Sequence, residues 1–169
     1  MTHRSHIHVK TTIDQRNVKA NRRLRPSLIR EIARQALRLS DLQGNFEVNI
    51  IVTDDQHIRA LNRNFRQIDS PTDVLSFPIL EDGSIPVSYP SGRILLGDIV
   101  ISIDTASRQA REDGVALDHM AAWLIGHGML HLMGINHDDE DMRRSMNKRE
   151  QDILRALGIP VKAAKLYTV

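Results

Sequence analysis

At 169 residues, with 41% hydrophobic and 26% charged residues, the chain is expected to form one soluble domain, 1–169, large enough to bury a core. Cysteine is absent, which excludes disulfides and thiolate metal sites, and no apolar run approaches the ~20 residues that span a bilayer, so a cytoplasmic protein with no membrane partner is expected. The formal net charge of +2 is unevenly spread: residues 1–38 hold ten Lys or Arg against two acids, a formal +8, and residues 39–169 hold thirteen against nineteen, a formal −6. A basic end of this kind suits a polyanion such as nucleic acid.

Residues 6–13, HIHVKTTI, alternate and predict a strand inside a basic N-terminal extension, 1–25. His3, His6 and His8 there read as exposed bystanders. Pro26 opens a helix with Leu28, Ile29, Ile32, Ala33, Ala36 and Leu37 on one stripe and Arg30, Arg34 and Arg38 at four-residue spacing, continuing the cluster Arg22, Arg23 and Arg25. FEVNIIV, 46–52, reads as a second strand, and Thr53 with Gln56 as a capping box for a short helix bearing Ile58 and Leu61. A polar loop through Arg66, Asp69 and Pro71 leads into a third strand, TDVLSF, ended by Pro78. At an edge that strand offers the Ser76 hydroxyl to a cleft, whereas Val74, Leu75 and Phe77 read as core. Residues 79–93 read as a mobile loop, and RILLGDIVIS as a continuous apolar strand interrupted by Gly97 and Asp98, one end of which abuts the site. Three helices follow, roughly 104–113, 116–133 and 139–157, the last with an acidic first turn drawn from Asp138 to Asp141. Strands interleaved with helices predict an α/β (α+β) domain: a small mixed sheet of about four strands packed with about five helices.

The densest chemical signal is HGMLHLMGINH, 127–137. Four residues separate His127 from His131, which stacks them on one helix face about 6 Å apart along the axis. Gly134 then allows a left-handed turn that returns His137 to the other two. The helix around them is apolar almost all round and therefore buried, and buried imidazoles need partners; a shared metal ion satisfies all three. The spacing resembles the zincin motifs, in which a glutamate after the first histidine is the general base. Here that position is Gly128, so the ligand pattern is present and the peptidase base is not.

Three segments in matching order, LNRNFRQIDSPTDVLSFP at 61–78, LLGDIVIS at 95–102 and the three-histidine string, resemble the YbeY family of metal-dependent endoribonucleases, over most of 46–158. The first 25 residues carry no such motif and receive nothing from the resemblance. What it implies is a cytoplasmic endonuclease of single-stranded RNA, and not DNA. It would act in maturation of small-subunit ribosomal RNA and in late ribosome quality control, on the small ribosomal subunit and beside ribosome-associated proteins. It further implies a zincin-like metal helix with one zinc ion held by His127, His131 and His137, and Arg66 as the family's functional arginine, so that Arg66 and His127 are the catalytic candidates. The family's usual string before the third histidine has Tyr and Asp where this chain has Ile135 and Asn136; Asn136 can still accept a hydrogen bond but adds no charge.

Three imidazoles leave a tetrahedral metal one open corner for a water. Imidazole ligation without thiolates favours zinc, with nickel or iron as alternatives. Either that water or a ribose 2′-OH then attacks the phosphodiester while Arg66 holds the phosphate. A surface arginine paired with Asp69 is the plain alternative for Arg66. Two other readings of the whole chain stay open: a metallopeptidase-like hydrolase, and a non-enzymatic ribosome assembly factor with structural zinc.

Overall fold

The computed structural model describes residues 7–79 and 92–161; His3, His6 and nearly all of the expected 79–93 loop lie outside the described residues. Four strands form one mixed sheet in the order β1-β2-β4-β3: β1 Ile7–Asp14, β2 Gly44–Thr53, β3 Val74–Pro78 and β4 Ile94–Ser102. β1, β2 and β4 run parallel, and β3 pairs antiparallel to β4 as an edge. Five helices accompany them: α1 Pro26–Arg38, α2 Asp55–Arg66, α3 Ile103–Glu112, α4 Leu117–Leu132 and α5 Glu140–Ala156. The expected mixed α/β fold with four strands and five helices is the one observed.

The sequence explains which face each element buries. In β2 the alternation sends Phe46, Val48, Ile50 and Val52 into the main core, where they meet Ile29, Ile32, Ala33, Ala36 and Leu37 of α1. α4 joins that core along nearly its whole circumference, with Met120 to Gly126 and Gly128 to Leu130 all buried. A smaller cluster, Ile58, Leu75 and Val100 with Ile51, Leu61 and Phe77 packed on it, joins α2 to β3 and β4.

Several boundaries differ from expectation for identifiable reasons. The N-cap of α2 is Asp54, whose carboxylate accepts from the His57 backbone N–H at 2.8 Å, so Thr53 stays in the strand and is buried. α2 runs on through Arg66 and stops at Gln67, which takes a left-handed φ of 60°, so Arg66 is a helix terminus and not part of a loop. β3 begins at Val74 because Asp73 turns inward: Oδ1 accepts from the Val74 N–H at 2.7 Å and Oδ2 from Gln109 at 2.9 Å.

The other end of α2 is tied down by Asp55. Its Oδ1 accepts from the hydroxyls of Ser102 at 2.5 Å and Thr105 at 2.6 Å, and Arg108 lies 3.4 Å from Oδ2. Burial pushes this carboxyl up, but the two hydroxyls and the guanidinium outweigh it and hold Asp55 below the usual carboxylate range. The basic N-terminal cluster is likewise partly engaged. Arg22 pairs with Asp104 at 2.7 Å, Arg25 with Asp118 at 2.5 Å and Arg34 with Glu31, which reduces the positive face available to a polyanion.

β4 carries a bulge that matters for the site. Glu47 pairs with Leu95 and Val48 with Gly97, leaving Leu96 as an extra residue, and Gly97 adopts φ 137°. The added residue shifts the alternation so that Leu96, Ile99 and Ile101 all join the main core. A Cβ at Gly97 would lie 2.1 Å from the Phe77 carbonyl oxygen and 3.1 Å from Leu132 Cδ2, so the edge strand and the end of α4 both close on this glycine. Gly97→Ala should lower stability by about 1–3 kcal/mol through strain and overpacking, read as a fall in the urea midpoint without a change in slope.

Candidate metal centre

Two of the three histidines stand on α4 one turn apart, with Trp123 one turn earlier on the same row. The helix then ends in a Schellman turn: the Ile135 N–H donates to the Leu130 carbonyl at 3.0 Å, the Gly134 N–H to the His131 carbonyl at 3.0 Å, and Gly134 takes φ 79°. The reversal brings His137 back, as the glycine predicts. The three rings offer nitrogen atoms that all lie within 4.8 Å of one another, with ring centroids 4.6, 5.2 and 5.8 Å apart, and each residue is half-buried.

The proton positions decide whether this is a hydrogen-bonded cluster or a cation site. His127 Nδ1 lies 2.7 Å from Glu150 Oε1, and His131 Nδ1 faces Asn136 Oδ1 at a longer 3.3 Å. Both contacts are met by a proton on Nδ1. With the protons so placed, the two Nε2 lone pairs lie 3.0 Å apart, where a shared cation satisfies both; a proton on His131 Nε2 would instead bond the two rings directly. Burial, followed by the charges of His127, His137 and Arg66 and against the bond to Asn136, pushes His131 down from 6.5 to about 4, so this ring is neutral and able to ligate at pH 7. The residues present therefore fit a metal with imidazole ligands. Among the described residues no fourth His, Cys, Asp or Glu joins the group.

Arg66 stands at the C-terminal end of α2; it is exposed and makes no ion pair among the described residues. The Asp69 alternative is set aside, because Asp69 is held by Arg59 through two bonds of 2.8 and 2.9 Å. Beside Arg66, Phe65 is 66% exposed and packs edge-on to Phe77 with centroids 5.1 Å apart, and Ile68 is 51% exposed. Asn62 steadies the following loop by donating to the Ser70 carbonyl at 2.9 Å. Of the expected strand residues, Leu75 is core, Val74 and Phe77 pack against it, and Ser76 is half-buried.

Comparison with known proteins agrees with this architecture. The family described as Endoribonuclease YbeY matches residues 10–158. The chain belongs to the YbeY family. A relative from Synechococcus sp. (strain JA-3-3Ab) named Endoribonuclease YbeY is 47% identical over 113 residues, 66% of this chain and 69% of the relative. Another of that name from Moorella thermoacetica is 41% identical over 135 residues, covering 79% and 86%. A solution structure of a Thermotoga maritima protein superposes with a TM-score of 0.54 at 23% identity, covering 90% of this chain and 91% of that one, which shows the shared fold. The YbeY match begins at residue 10 and so takes in part of the N-terminal extension, whose β1 is the outer parallel strand of the sheet.

Sequence reasoning missed Glu150 and Trp123. Glu150 is 3% exposed, and its second oxygen accepts from the Trp123 indole N–H at 3.0 Å. The signal was available: Glu150 sits midway between Met146 and Leu154 on the four-residue row that α5 buries, a charge where the pattern calls for an aliphatic residue.

Gly128 is settled by packing. A Cβ there would meet three atoms of Ile99 at 3.0–3.2 Å, so this position faces β4 across the helix–sheet contact. Restoring the peptidase residue, Gly128→Glu, should bury an unpaired carboxylate and overpack that contact, costing about 3 kcal/mol or more, seen as a large fall in Tm and no gain of casein hydrolysis. A second expectation concerns pH. The unfolded chain protonates His131 near 6.5 and the folded metal-free protein only near 4, so stability should fall as pH drops through that window. Urea midpoints of metal-free wild type and His131→Asn, compared from pH 7 to 4, should show a shallower decline in the variant.

Proposed function

We propose that this chain, as a single domain, is a metal-dependent endoribonuclease that cuts single-stranded RNA in the cytoplasm, acting in maturation of small-subunit ribosomal RNA and in late ribosome quality control. The observation that carries the reading is the convergence of three histidine nitrogens within 4.8 Å in a member of the YbeY family. His127, His131 and His137 are the proposed ligands. Zinc is the proposed ion, because a neutral all-imidazole set suits it and needs no thiolate. With three protein ligands and a fourth position left for water or substrate, the donor set supports a catalytic site over a closed structural one, which disfavours the assembly-factor reading.

Zinc bound there supplies Lewis acidity and lowers the pKa of a water to about 7. The protein's own groups do the rest. Arg66, free of ion pairs among the described residues, would grip two oxygens of the scissile phosphate through its planar fork and stabilise the charge that grows during attack by water or by the ribose 2′-OH. Exposed Phe65 beside it offers a face for one base, which fits a single-stranded substrate whose bases are unstacked. Metallopeptidase chemistry is disfavoured, since the position that carries its base faces Ile99.

Elemental analysis of the purified protein should find about one zinc per chain, and cleavage of ribosomal RNA, but not of casein, should stop on adding a chelator. Arg66→Ala should reduce RNA turnover by about 10²–10³-fold while changing RNA affinity by far less. His127→Ala should lose both metal and cleavage. An Arg66 variant with unchanged turnover removes its catalytic role, and a His127 variant that keeps full zinc and full activity removes that residue from the ligand set.

A further inference from the structure

We propose that Glu150 is a positioning residue: its carboxylate fixes the proton of His127 on Nδ1 and turns the Nε2 lone pair toward the metal, while Trp123 locks the carboxylate in place. The assignment rests on the three-histidine site being a metal centre. Two observations carry it. Glu150 is 3% exposed within a row of aliphatic and methionine side chains, a costly place for a carboxylate unless both oxygens are used. Both are used, and by different groups: Oε1 faces His127 Nδ1 at 2.7 Å and Oε2 accepts from Trp123 Nε1 at 3.0 Å.

The donor and acceptor inventory makes this specific to a carboxylate. An indole N–H can only donate, so Oε2 must accept. A neutral imidazole can carry its proton on either nitrogen, and an ionised Oε1 admits only the Nδ1 tautomer. The chain thus presets His127 before any metal arrives. Glutamine at this position has one accepting and one donating end. If its oxygen satisfies Trp123, its NH2 group points at His127 Nδ1, which must then accept, and the ring proton moves to Nε2 where the metal would bind. The shape is conserved and the tautomer is reversed.

Metal affinity is therefore the readout, with cleavage not required. Zinc affinity should be measured by competition with a chromophoric chelator, and cobalt(II) absorption recorded, for wild type, Trp123→Phe, Glu150→Gln and the double variant. Glu150→Gln should bind zinc about 10–100-fold more weakly than wild type. The double variant should recover at least tenfold of that loss, because without the indole donor the amide oxygen is free to turn to His127. Trp123→Phe alone should weaken zinc binding less than Glu150→Gln does, because it loosens the carboxylate but leaves an ionised Oε1 that still admits only the Nδ1 tautomer. In parallel, long-range proton–nitrogen NMR of the metal-free wild type should show His127 protonated on Nδ1, a measurement that does not depend on how any variant folds. Equal zinc affinity in wild type and Glu150→Gln, a double variant no better than the single one, or an Nε2–H tautomer in wild type each overturns the assignment of Glu150. Wild type that takes up no zinc overturns the metal centre itself, and the assignment with it.

Discussion

The close contact of α4 with β4 is the constraint on which the rest depends. Helix and sheet meet where Gly128 faces Ile99, with room for a hydrogen and none for a methyl group without displacing Ile99. That contact fixes the rotation of α4 about its own axis. Once one face is committed to the sheet, the row Trp123, His127 and His131 is turned toward α5 and the C-terminal turn, where Glu150 and His137 wait. Gly97 does the same for the edge: its bare backbone lets Phe77 of β3 and Leu132 of α4 converge beside His131. Two glycines on facing elements thus set the distance between the ligand helix and the strand that borders it.

Much of this was legible because local rules act over a few residues. The i, i+4 spacing, a glycine at the position a Schellman turn requires, and an acidic run before an amphipathic helix each announce a backbone outcome. Each was met: by the stacked rings, by φ 79° at Gly134, and by Asp139 capping α5 through the Met142 N–H at 2.7 Å. What stayed hidden was tertiary. Glu150 lies 23 residues from His127, and only packing shows that its row faces the histidines. Arg66 read as loop because α2 is polar along most of its length. Asp54, adjacent to the expected cap, supplied the better acceptor, since Thr53 was already committed to a buried strand end.

Charge patterning was the weakest guide. The tally of Arg and Lys in the first 38 residues suggests a continuous basic face, yet Arg22 and Arg25 reach acids 82 and 93 residues away, and Arg34 reaches one on its own helix. Exposed pairs of this kind add little stability, but each cancels a positive charge in the near field. Formal charge counted along the chain overstates the field an RNA strand would meet. Which charges stay unpaired near the three histidines says more about function than a count along the chain.

The location of carboxylates separates this site from the peptidases whose spacing it shares. In those enzymes a glutamate one residue after the first ligand stands over the open coordination position and handles protons there. In this chain that residue is glycine turned to the sheet, and the carboxylate bonded to His127 stands behind that ring, its other oxygen accepting from Trp123. Arg66, the proposed phosphate-binding group, ends α2, is exposed and makes no ion pair among the described residues. Amide hydrolysis needs a proton delivered to a poor leaving group, a task for a carboxylic acid over the metal. Phosphodiester cleavage needs, above all, compensation of negative charge on oxygens that are already anionic. A three-histidine group able to hold a cation, with no carboxylate joined to it as a further ligand among the described residues, suits the second requirement and not the first, which is the physical reason the same ligand spacing goes with a nuclease family here.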